Sequence, residues 1–173
     1  YIPLRDGGKV ARFAALTNVL QSCSGEPFRQ GLVHDVLDRL GMADSVPGQD
    51  LANERSPVRE LFEKPQLDRY TAVLNRTALP YRVDRNGRAS RNDQPLRGLS
   101  AADGLVSTAR DLARFDRALD DGVLLLPETL AVAWSPANFT GTPLPTGLGW
   151  FVQDYQGERL IWHFSLVPDA YSA

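Results

Sequence analysis

Apolar residues recur along this chain at two spacings, and the spacings divide it into two sections. Val10, Phe13, Leu16, Leu20 and Cys23 fall three or four apart, which predicts a helix from Val10 to Cys23 with one apolar face. Gly25 ends it, and Pro27 opens a second helix to Leu40, with Phe28, Leu32, Val36, Leu37 and Leu40 facing in. Gly41 fits a left-handed stop there, and Met42 can fold back on Leu37 to complete a Schellman ending. The stretch from Ala43 to Asn75 is less patterned. Ser56-Pro57 predicts a short capped helix through Glu63, and Lys64-Pro65 breaks it. Asn86-Gly87 between Leu79–Val83 and Arg88–Ser90 predicts a short, polar surface hairpin.

The clearest helical pattern runs from Ser107 to Asp121. Ser107 or Thr108 is the expected N-cap, and Asp111 sits in the first turn, where a carboxylate favours the helix dipole. Leu112, Phe115 and Leu119 share the expected buried face. Arg110, Arg114 and Arg117 pair with Asp111, Asp116 and Asp121 on the wet side. Gly122 stops this helix, and Pro127 takes the first position of the next, where its missing N–H costs nothing. Beyond Trp134 the period changes to two. Leu148–Tyr155 and Glu158–Phe164 read as antiparallel strands around Gln156-Gly157, with Trp150, Val152, Leu160 and Trp162 alternating with other residues. A third strand begins at Asp169 to Ala173. The class is α+β: helices over about 10–134, then antiparallel strands over about 147–173.

Composition alters this picture little. The chain has 173 residues, enough for one domain with a real core, and 43% hydrophobic with 23% charged residues is ordinary for a globular chain. A net charge of -2 gives no electrostatic case for nucleic acid or an anionic membrane. No apolar run approaches the roughly 20 residues needed to span a bilayer. Two histidines and one cysteine offer no zinc-ligand spacing, so no metal is expected. Cys23 reads as a buried packing residue, and His34 beside Asp35 as a solvated pair.

Three stretches carry a resemblance. SGEPFRQGLVHDVLDRLGMADS, then GLVSTARDLARF with LLLPETL, then GLGWFVQDYQGERLIWHFS stand in the order and spacing of the serine β-lactamase-like hydrolases. That family includes class C β-lactamases, D-alanyl-D-alanine carboxypeptidases, penicillin-binding proteins and esterases. The resemblance implies an antiparallel sheet flanked by helices, present here in part as one partial domain. It implies acyl transfer through a serine ester on a small-molecule or peptide-like acyl substrate, with no cofactor, outside the cytoplasm.

The family works through three motifs: Ser-x-x-Lys, a tyrosine relay, and Lys-Thr-Gly or His-x-Gly on a strand. The first is absent, because the only lysines, Lys9 and Lys64, follow Asp6 and Leu61 at that spacing. The tyrosine should lie just before Phe13. Arg5 to Val10 holds none, and Tyr1 is the one candidate, at a mismatched spacing. The third is matched by Trp162-His163-Phe164-Ser165. The resemblance makes His163 the motif histidine. Ser165 then replaces the glycine that lets substrate approach the strand, and Leu166 offers a backbone N–H to the oxyanion. Histidine in this motif tilts toward the esterase and peptidase branch. The expectation is that the natural protein extends past both Tyr1 and Ala173, that the serine and lysine precede Tyr1, and that residues 1–173 alone are inactive. The missing tyrosine and Ser165 also suit a relative that keeps the fold as a non-catalytic binding module. Asp103-Gly104 reads as a turn where the family shows two small residues.

Overall fold

The computed structural model describes residues 7–92, 96–167 and 170–172. Tyr1, Asp169 and Ala173 lie outside the described residues. The chain forms two compact units, Tyr1–Ala78 with Gln94–Arg117, and Leu79–Asp93 with Ala118–Ala173.

The first unit is helical. It contains α1 (Gly7–Ser24), then α2 (Phe28–Leu32), which widens into a π-helical run over Val33–Asp38. Single 3-10 turns follow at Gln49–Ala52 and Pro57–Leu61, and then α3 (Lys64–Leu74). Its core gathers Val33, Leu37, Met42, Val46, Leu51, Phe62, Tyr70 and Val73. Phe62 meets Tyr70 edge to face at 5.3 Å between centroids. Burial pushes the Tyr70 phenol up from its ordinary pKa, so it stays neutral.

The predicted stop after Leu40 is present. Gly41 has φ 64, its N–H donates to Asp38 O, and the Met42 N–H donates to Leu37 O at 2.8 Å, which is the Schellman pattern. Lys64-Pro65, expected as a breaker, instead opens α3. Proline is harmless in a first turn, and Glu63 and Gln66 close a capping box around it.

α1 differs from expectation in its buried face. Phe13, Leu16 and Leu20 are exposed, and so is Cys23, which is not a packing residue. The half-buried positions are instead Ala14 and Thr17, while Gln21, one turn on, is exposed. Thr17 Oγ1 accepts the Ala101 N–H and Gln21 Oε1 accepts the Phe28 N–H. Apolar residues on several sides of this helix leave the period unable to select a face.

The second unit begins with the hairpin of β1 (Tyr81–Val83) and β2 (Ala89–Arg91), exposed throughout as expected. α4 (Ala109–Asp120) spans the end of the first unit and the start of the second, and Gly122 and Val123 close it in a second Schellman stop. α5 (Pro127–Ala133) starts at its proline. β3 (Asn138–Phe139) pairs with β4 (Thr142–Pro143), β5 (Phe151–Tyr155) with β6 (Glu158–Trp162), and β7 (Ser165–Val167) with β8 (Ala170–Ser172). Every pair is antiparallel.

Candidate active site

The β5–β6 hairpin carries the residues of interest. Its turn, Gln156-Gly157, has φ 52 and 86, the two positive values that a type I′ connection needs. The turn sets the register, with Phe151 opposite Trp162 and Val152 opposite Ile161. Alternation then places Phe151 and Trp162 on one face, where their rings stack at 4.7 Å. Phe164 joins the same stack, 5.4 Å from Phe151 and 5.8 Å from Trp162. His163 lies between two residues of this ladder, so alternation directs it to the opposite side.

His163 follows the last residue of β6 and precedes β7. Its surface is exposed, yet partial desolvation lowers its pKa below the ordinary 6.5, which favours the neutral imidazole. The backbone of Ser165 and Leu166 opens β7, pairing with Ser172 and Tyr171. The residues expected to form the third motif thus lie at a junction, with His163 and Phe164 between the end of β6 and the start of β7.

In the first unit, α4 presents a polar inner edge that the sequence pattern did not reveal. Thr108 caps the helix, its Oγ1 accepting the Asp111 N–H. Asp111 was expected on the wet side, but it is fully buried. Its carboxylate accepts from the Asp44 N–H at 2.9 Å, the Ser45 hydroxyl at 2.8 Å and Arg114 at 2.6 Å. Leu112, expected inside, is exposed instead, and Phe115 is half-buried against the core. Positions 111 and 115 are one turn apart, so the face is rotated by one residue from the predicted one. Ser45 also bonds Ser107 at 2.8 Å, and Val46 and Val106 exchange backbone hydrogen bonds.

On the far side of the same buried segment, Arg29 forks onto Asp50 at 2.7 and 3.0 Å and donates to Pro47 O. The Ser100–Asp103 turn is closed by the Ser100 hydroxyl donating to Asp103 Oδ1 at 2.8 Å, so turn chemistry accounts for Asp103. His34 is solvated and paired with Asp35 at 2.9 Å, as expected. Among the described residues, no group of three or more His, Cys, Asp or Glu is placed to hold a metal ion. Nor, among them, is any helix long and apolar enough to cross a membrane.

Known proteins share this fold. The octameric penicillin-binding protein homologue from Pyrococcus abyssi is similar with a TM-score of 0.63 at 20% identity, over 88% of this chain and 31% of that one. The penicillin binding protein from Bacillus halodurans gives 0.60 at 22%, over 87% and 41%. The D-amino acid amidase from Ochrobactrum anthropi SV3, in complex with L-phenylalanine amide, gives 0.57 at 25%, over 88% and 40%. The chain therefore spans between about a third and two fifths of the length of these relatives. No curated protein matches the sequence. The family model described as Beta-lactamase matches residues 12–173, nearly the whole chain, and so the chain belongs to the β-lactamase family of serine hydrolases.

Proposed function

We propose that the chain is part of a serine hydrolase that forms an acyl-enzyme on an amide, β-lactam or ester substrate, with the nucleophile outside these 173 residues. The family match over residues 12–173, with Trp162-His163-Phe164-Ser165 at the end of β6, carries this reading. The serine oxygen bonds to the substrate carbonyl, the amine or alcohol leaves with a proton, and water then cleaves the ester. His163 stands at the substrate as a neutral imidazole that accepts or donates a hydrogen bond. The Leu166 backbone N–H faces the oxyanion, and Ser165 narrows the approach to the strand that glycine would leave open. Both units belong to one catalytic domain, and the protein works outside the cytoplasm.

The competing reading is a non-catalytic binding module, favoured by the lack of a tyrosine from Arg5 to Val10. The test is labelling with a serine-directed acylating probe, applied to residues 1–173 and to a chain extended at both ends. The expected result is no serine label on the shorter chain and one label, in a Ser-x-x-Lys, on the longer. A label on a serine of the shorter chain contradicts the proposal, because none of its serines has a lysine three residues on. An unlabelled longer chain favours the binding module.

A further inference from the structure

His163 sits between two strands with no ladder to hold it. The β5–β6 register ends at Trp162, and the β7–β8 register begins at Ser165. Its direction is set instead by its two chain neighbours, Trp162 and Phe164. Both stack on a single ring, that of Phe151, at 4.7 Å and 24° for Trp162 and at 5.4 Å and 17° for Phe164. The two neighbours also stack on each other at 5.8 Å. Three near-parallel rings thus hold positions 162 and 164 to one side, which in an extended run turns position 163 to the other. Phe151 is the anchored member of the three. Its backbone pairs with Trp162 on one side and bridges to Thr146 on the other. The next residue, Val152, is buried and donates its N–H to Pro145 O at 3.0 Å. Trp162 is 39% exposed, so burial does little to fix it, and the stack supplies what burial does not.

We propose that Phe151 is a positioning residue for His163: by stacking on both chain neighbours of the histidine, it fixes the side of the strand that the imidazole takes. A flat ring is what the task needs, because it meets two parallel rings face on, where an aliphatic side chain offers no plane to align them. The consequence for catalysis rests on the reading of His163 as the motif histidine. The positioning itself does not.

The experiment uses the chain extended at both ends and four variants: Phe151→Leu, Phe151→Tyr, His163→Ala and the double variant F151L/H163A. Leucine keeps an apolar side chain in place of the ring, so the hairpin retains its burial but loses the stack. Two quantities are read: the rate of acylation by a serine-directed probe, and the titration of His163 by proton NMR, its signal being the one absent from His163→Ala. Phe151→Leu should slow acylation about tenfold, as small displacements at a reacting centre do. It should also bring the His163 titration up toward 6.5, because a loosened imidazole meets more water. Phe151→Tyr keeps the ring and should match the parent in both. The double variant should be no slower than His163→Ala, since the ring acts only through the histidine. An unchanged His163 titration in Phe151→Leu overturns the proposal, and so does a double variant slower than His163→Ala. If His163→Ala acylates at the parent rate while Phe151→Leu still shifts the titration, the positioning stands and the catalytic reading of His163 fails.

Discussion

The residue that departs most from its pattern is Asp111. A carboxylate in the first turn of a helix is ordinarily a solvated partner of the dipole. Here it is buried, and it ties α4 to the Asp44–Ser45 segment through two donors while Thr108 caps the same turn. Its energetic role follows from what its removal leaves behind. Asp111→Ala strands the Asp44 N–H and the buried Ser45 hydroxyl, at about 1–3 kcal/mol for each buried donor left unpaired, so about 3 kcal/mol in total. Arg114 is half exposed, with a side-chain accessibility of 45%, but its partner carboxylate is buried, so Arg114→Ala should cost about 1–2 kcal/mol, less than Asp111→Ala. Urea unfolding of the two variants checks this, and equal losses would contradict it. A sequence pattern could not place Asp111 inside, because periodicity counts apolar residues, and a buried polar residue whose partners are 66 and 67 positions away looks like a surface one.

At the level of elements, local chemistry was legible wherever the signal was covalent or conformational. Gly41 with Met42, Gly122, Pro127 and Gln156-Gly157 all do what their residue types require, since a left-handed stop, a helix N1 position or an I′ turn is decided within a few residues. α3 was missed because Pro65 was read as a breaker, when its position relative to Glu63 made it an opener. The buried face of α1 was misread because face selection depends on distant partners such as Ala101. The β5–β6 turn offers a test at this scale. Gln156 is a non-glycine residue at φ 52, a position that asparagine tolerates better. Gln156→Asn should stabilise the protein by about 0.5–1 kcal/mol, read as a higher urea midpoint at unchanged slope. A lower midpoint would show that this turn does not determine the hairpin's stability.

For the whole molecule, family and fold class were legible because three stretches spread along the chain agree in order, and the match to residues 12–173 bears this out. The site was less legible. Only one of the three motifs has a sequence counterpart, Trp162-His163-Phe164-Ser165, and the sequence could not show the stacking of the neighbours around its histidine. The central claim is that His163 serves acyl transfer as a neutral imidazole. Its folded pKa lies below 6.5, so the neutral form gains as pH rises through that lowered value. The folded state also binds fewer protons than the unfolded chain between the two values. Stability is therefore undiminished above about pH 6.5 and falls as pH drops through that window. The most direct measurement is the pH–rate profile of acylation by the chain extended at both ends, with and without His163→Ala. The account predicts a rate that climbs through an apparent pKa below 6.5 in the parent, and in the variant a loss of about 10²-fold together with that limb. An unchanged rate and an unchanged acid limb in His163→Ala would contradict it.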